Sequence, residues 1–207
     1  MRFLIYIQAL VIMSLALSCR EQADYPPGSY EAQVVAYRAQ KDSSFRFSES
    51  SPLPDELKKS FKALNYFKPD SNFVIKAKFT PNPKPDTIKV FTSKKEDVRT
   101  MLRIGTFEFK IKGRTMKLTG YVNAPVEYPA DVFIPFADKT NGIDTYEGGR
   151  YLDIMLDDSS EQFVVLDFNL AYAPYCAYNK KYSCPLVPYE NVLAPYIKAG
   201  EKIYKKK

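Results

Sequence analysis

From Asn72 onward the apolar residues of this chain recur at every second position, and that period governs what the chain can fold into. Phe73, Ile75, Ala77 and Phe79 alternate with polar residues, and Ile88 and Val90 do the same after a Pro81 to Asp86 stretch that reads as a turn. Residues two apart share one side of an extended strand, so each run has one apolar face and one wet face. Phe107, Phe109 and Ile111 then face Met116, Leu118 and Val122 across Lys112-Gly113-Arg114, a hairpin pattern. Val132 to Phe136, Tyr151 to Met155 and Phe163 to Phe168 supply further strands, separated by Asn141-Gly142 and by Asp157-Asp158-Ser159-Ser160. Strands that follow strands through turns pair antiparallel. The predicted fold is mainly β, an antiparallel β-sandwich or partly open barrel.

Ahead of the strands the period is helical. Ser29 is placed to cap a helix with Tyr30, Val34 and Tyr37 on one face. A second short helix is predicted from Pro54, with Leu53, Leu57, Phe61 and Leu64 at helical spacing and Asp55 and Glu56 in the first turn. Together they form a small amino-terminal helical cap. No internal repeat is visible.

The first residues read as an address. Met1-Arg2 is a short positive start, and Phe3 to Leu17 is apolar except for Gln8 and Ser14, the layout of a secretory signal. The run is shorter than the roughly 20 apolar residues that a membrane-spanning helix needs. Leu15-Ala16-Leu17-Ser18-Cys19 resembles the lipobox of bacterial lipoproteins, which implies cleavage before Cys19 and acylation of its thiol and of the new amino terminus. The expected organisation is a signal peptide over 1–18, a lipidated flexible tether over 19–29 containing Pro26-Pro27-Gly28, and one β-rich domain over 30–207. The expected location is the bacterial cell envelope, held to the membrane by the lipid. Removing the leader takes away one Arg and no acid, so the net charge of +6 falls only to +5. The basic residues are spread along the chain apart from Lys205-Lys206-Lys207, read as a solvated end or a contact for anionic headgroups, and nothing suggests nucleic acid.

Histidine is absent, which removes Ser-His-Asp and Cys-His nucleophile systems and His-ligated zinc. Chemistry would have to use carboxylates, Tyr, Lys, Arg or Cys, and no cofactor or metal set is implied. Oligomeric state is not legible.

The stretch from Pro135 to Glu201 breaks the alternation with F-A-D-K-T-N-G-I-D-T-Y-E-G-G-R-Y-L-D, then D-F-N-L-A-Y-A-P-Y-C-A-Y, K-K-Y-S-C-P-L-V-P-Y-E-N-V-L and A-G-E-K. In this order, with Ser51-Pro52-Leu53-Pro54 and Leu64-Asn65-Tyr66-Phe67 upstream, these motifs resemble the bacterial family called domain of unknown function 1684, over nearly all of the mature chain. The resemblance implies no activity. It implies that Asp138, Thr140, Thr145, Tyr146, Arg150, Asp167, Asn169, Tyr172, Asn191 and Glu201 belong together. Glu147 stands where the family pattern has a first glycine, and Ala173 where it commonly has Asn.

Read as residues alone, Gly148-Gly149 before Arg150 permits a turn that places backbone N–H groups and a guanidinium around a carboxylate or phosphate. The competing reading is a bulge whose Arg150 pairs with Asp167 or Asp153. The candidate ligand-binding set is Asp138, Arg150, Asp167, Asn169 and Tyr172, for a small polar or anionic ligand. A rival reading is a histidine-free hydrolase using two of Asp138, Asp153, Asp167 and Glu201, about 5 to 10 Å apart. A third is a structural partner in an envelope assembly, marked by an exposed apolar patch. The Asp138 to Asp144 series misses the spacing of a calcium loop. Cys176 and Cys184 are expected to form a disulfide closing Ala177 to Ser183, contributing roughly 2 to 3 kcal/mol.

Overall fold

The computed structural model describes residues 25–204; the leader, Cys19, the first part of the tether and Lys205-Lys206-Lys207 lie outside the described residues. Two helices, α1 (Tyr30–Phe47) and α2 (Asp55–Ser60), precede six strands: β1 (Val74–Phe91), β2 (Val98–Ile111), β3 (Arg114–Val122), β4 (Ala130–Phe136), β5 (Arg150–Leu156) and β6 (Phe163–Asp167). The strands pair antiparallel in the order β5-β4-β3-β2-β1-β6, a nearly closed, barrel-like sheet with the helices on its amino-terminal side. Of the two architectures expected, the partly open barrel is the one formed.

The alternation sets which face is inside. Ile75, Ala77 and Phe79 of β1, Phe107, Phe109 and Ile111 of β2, and Val132, Ile134 and Phe136 of β4 are all buried in one core. Phe79 and Phe107 stack at 4.9 Å. The hairpin turns where expected, since Ile111 pairs with Arg114 and the two loop residues Lys112 and Gly113 have φ of 48° and 77°. Both loop residues with positive φ is the backbone twist a two-residue antiparallel turn needs, and glycine meets it without a steric cost.

Pro81 to Asp86 does not form a turn. β1 runs through it, and the register with β2 shifts between Pro81 and Asp86. Three prolines in five residues keep φ extended and remove three donors, so the segment bulges out of the ladder instead of folding back. Asn82 fastens the bulge by donating to Asp86 and to the Arg103 carbonyl.

Ser29 caps α1 by accepting from the Ala32 amide at 3.2 Å. α2 is shorter than the apolar spacing suggests: Leu53, Phe61 and Leu64 are buried, but all three flank the six-residue helix. They form a second, smaller core with Phe45, Ala173 and Tyr178, which clamps the end of α1 to the 173–178 loop. Among the described residues, no helix is long and apolar enough to cross a membrane.

Candidate functional site

Arg150 opens β5 and is fully buried. Gly149, at φ +91°, lets the chain turn into it, and a Cβ there would strike Val187 and the Phe136 carbonyl. The guanidinium donates to Asp138 at 2.8 Å, to the Ile197 carbonyl at 2.8 Å and to the Ala199 carbonyl. Asp138, 7% exposed, accepts in turn from the amides of Thr140 and Ile197. Burial pulls the Arg150 pKa down, and the Asp138 carboxylate works against that shift. The partner is therefore Asp138, neither Asp167 nor Asp153. This pair latches the start of β5 to the 197–201 segment, and neither side chain has any exposed surface.

The other polar motif residues are likewise spent on the chain. Asp167 accepts from the Tyr30 hydroxyl at 2.7 Å and from the Asn169 amide at 2.9 Å. Asn169 exchanges two hydrogen bonds with the Asp70 backbone, and its own carbonyl accepts from Arg38. Asn191, wholly buried, bonds both backbone groups of Thr119 and the carbonyl of Pro135. That amide bridges β3 and β4 where their ladder holds a single pair, Tyr121 with Phe133. Glu201 is buried against Lys41 at 2.9 Å. Burial raises the Glu201 pKa, and Lys41 opposes the rise.

Tyr172 is the member of the candidate set that reaches a cavity. A groove of about 770 Å³ runs between α1 and the outward face of β4 and β5. Tyr37, Lys41 and Phe45 line it from α1, at a four-residue spacing that puts them on one helix face. Asp131 and Phe133 come from β4, Asp153 from β5, Arg99 and Met101 from β2, and the 172–185 loop closes the far wall with Tyr172, Tyr175 and Tyr182. The rings are braced edge to face: Phe133 on Tyr151 at 4.7 Å, Tyr151 on Tyr172 at 5.7 Å, Tyr175 on Tyr182 at 5.3 Å. Tyr172 donates to Asp153 at 2.5 Å, and the Lys41 ammonium sits 4.8 Å from the Tyr172 ring centre. Asp131 pairs in register with Met155, and Phe133 with Asp153, so the two aspartates are diagonal neighbours on one face. Burial raises the Asp153 pKa; Tyr172 lowers it and the Asp131 charge adds to the rise.

Of the four carboxylates proposed for hydrolysis, Asp138, Asp167 and Glu201 are held in separate structural contacts, and Asp153 alone lines the groove. Asp131, which joins it, carries no sequence mark beyond its place in a strand. Tyr37 and Lys41 were within reach of the helical period; Arg99 was not, because it enters the groove only through the curvature of the sheet. Among the described residues no three His, Cys, Asp or Glu side chains gather as a metal site.

The expected disulfide is not present. Cys176 and Cys184 are free thiols, with the Cys184 sulfur accepting from the Cys176 amide at 3.2 Å. The short loop does bring them together, but the contact made is a hydrogen bond instead of a covalent one. A separate hydrogen bond from the Cys184 thiol to the Cys176 sulfur pulls Cys176 down to about 6, against burial and with help from the Tyr146 hydroxyl, while Cys184 is pushed up.

A family model described as protein of unknown function (DUF1684) matches residues 59–202. The chain belongs to the DUF1684 family. The matched span holds all six strands and the 172–185 loop, whereas α1, the helical wall of the groove, lies ahead of it. The chain is also similar to an uncharacterised protein of Haloarcula marismortui known from a solution NMR structure, with 35% identity over 84% of this chain and 94% of that one, and a TM-score of 0.67. No match was found among curated proteins.

Proposed function

We propose that this DUF1684 member is a lipid-anchored envelope domain that binds a small, neutral, polyhydroxylated ligand such as a saccharide in the groove beneath α1. The observation that carries the reading is the groove's lining. It combines braced aromatic rings with polar groups of both signs, Lys41 and Arg99 against Asp131 and Asp153. Pre-formed concave sites lined by aromatics with a few convergent polar groups are the usual form of a small-molecule site. Balanced charge selects for no ion, while hydroxyl groups satisfy carboxylate acceptors and guanidinium donors together. The anionic alternative rested on Arg150, whose two terminal nitrogens donate to Asp138, Ile197 and Ala199 and whose side chain is wholly buried. The anchoring half of the proposal is supported by the apolar leader and the Leu15 to Cys19 lipobox.

A thermal-shift screen of the purified protein against neutral saccharides, organic anions and organic cations tests the binding half. Neutral saccharides should raise the melting temperature of the wild type and not that of Tyr172→Ala. A response confined to anions, or one that Tyr172→Ala retains, counts against the groove. Intact-mass analysis of membrane-extracted protein tests the anchoring half, and an unlipidated mature chain defeats it.

A second reading, carboxylate-dependent hydrolysis of such a ligand, is favoured by one feature: Asp131 and Asp153 are diagonal neighbours lining one groove, and burial makes the Asp153 carboxyl hold its proton more tightly than an ordinary aspartate. Release of reducing ends by the wild type and not by Asp153→Asn would establish it; intact substrate after prolonged incubation would exclude it.

A further inference from the structure

The outward face made by β6, the start of β1, the end of β2 and the start of β3 takes no part in the groove. Cross-strand register sets Lys117, Glu108, Lys78 and Phe163 in one row across four strands. In the next row Lys76 stands beside Val165, and Lys76, Lys78 and Lys110 border a shallow depression of about 460 Å³. Glu108, the acid in these rows, is already paired with Lys117 at 3.2 Å. Phe163 and Val165 are more than half exposed, and the Lys76 ammonium lies 4.4 Å from the Phe163 ring centre.

The two ends of this face differ. An acidic loop, Asp157 to Glu161, leads into β6 at Phe163. The opposite end carries the hairpin tip, with exposed Lys112 and Arg114. There β6 finishes at Asp167, whose carboxylate holds the Tyr30 hydroxyl, so the chain ahead of α1 departs from the basic end. Ten residue-to-residue steps carry the chain from Cys19 to Ser29. Fully extended they reach at most about 36 Å.

We infer that this face, led by Lys76, Lys110 and the Lys112 to Arg114 hairpin, docks on a membrane surface rich in anionic phospholipid. The orientation rests on the proposal that Cys19 is acylated; the charge complementarity does not. Lysines within a Debye length of an anionic leaflet each strengthen binding about fivefold, and exposed apolar side chains among them can enter the headgroup layer. Docked this way the domain keeps its groove open, because no groove-lining residue belongs to the face.

The test uses residues 25–204 without a lipid anchor, a span within which both apolar cores close. Co-sedimentation is measured with phosphatidylglycerol-rich vesicles, with phosphatidylcholine vesicles, and by competition with duplex DNA and with inorganic phosphate. Binding to the anionic vesicles is expected, falling steeply with salt and by at least about 25-fold in Lys76→Glu/Lys110→Glu, which removes two lysines and adds two acids. The charge-matched control Lys59→Glu/Lys62→Glu, on and just after α2, should lose far less, with all variants matched by circular dichroism. Equal binding to both vesicle types, equal loss in the two double variants, or preference for DNA or free phosphate overturns the inference. None of these outcomes depends on lipidation or on ligand binding, so the proposed function stands or falls separately.

Discussion

Replacing Arg150 by Met removes the donor from three buried acceptors at once: the Asp138 carboxylate and the carbonyls of Ile197 and Ala199. The side chain of Asp138 has no exposed surface, so water cannot take over the guanidinium's role. Breaking a buried ion pair by deleting one partner costs about 3 to 5 kcal/mol, since a charge is left uncompensated. For a domain of this size that corresponds to a fall of roughly 6 to 20 °C in melting temperature. Urea unfolding followed by circular dichroism measures the loss directly, with an unchanged slope showing that the unfolded state is not altered. The double variant Asp138→Asn/Arg150→Met should recover part of the stability, because the stranded charge is gone. A single-variant loss below about 1 kcal/mol would refute the reasoning that the pair is a latch. So would a stable variant that no longer binds ligand, which would return Arg150 to the ligand site.

Three further outcomes follow from the same geometry. Asn191→Ala deletes three buried hydrogen bonds between β3 and β4 and should cost about 2 to 4 kcal/mol in urea unfolding, with hydrogen exchange accelerating first at Thr119. Alkylation by iodoacetamide should label Cys176 before Cys184, with a rate that rises through about pH 6 and shifts to higher pH in Tyr146→Phe. Because burial raises the folded-state pKa of Glu201, the folded protein holds that proton to higher pH than the unfolded chain does. Its contribution to stability therefore declines as pH climbs from the ordinary glutamate range to the raised folded pKa. A urea midpoint that declines more steeply for wild type than for Glu201→Gln across that window checks the sign.

The fold was largely legible because alternation is a direct imprint of a half-buried strand. Where it failed, a local rule met a tertiary one. Pro81, Pro83 and Pro85 read as a turn, yet prolines are equally at home in an extended bulge, and pairing on both sides with β2 decides the matter. Leu53, Phe61 and Leu64 meet one small core from the irregular segments that flank α2, and Leu57, on the helix itself, is not part of that core. The motif between Asp138 and Glu201 was visible as a set of polar residues that belong together, but Asp138, Arg150, Asp167, Asn169, Asn191 and Glu201 fasten loops and strand ends to one another, and Tyr172 lines the groove. Two thiols eight positions apart could be brought close by sequence reasoning, while the hydrogen bond between them depends on how the 176–184 loop sits against Ser93 and Tyr146. The groove was least legible. Its walls come from α1, three strands and one loop, and Asp131, Phe133 and Arg99 meet there only once the sheet has curled.

Amide NMR spectra of the labelled domain, titrated with a neutral saccharide that stabilises it, test the central claim most directly. The account predicts saturable shifts confined to Tyr37, Lys41, Phe133, Asp153 and the 172–185 loop. Shifts centred on Asp138, Arg150 and the 197–201 segment, with the groove silent, would contradict it.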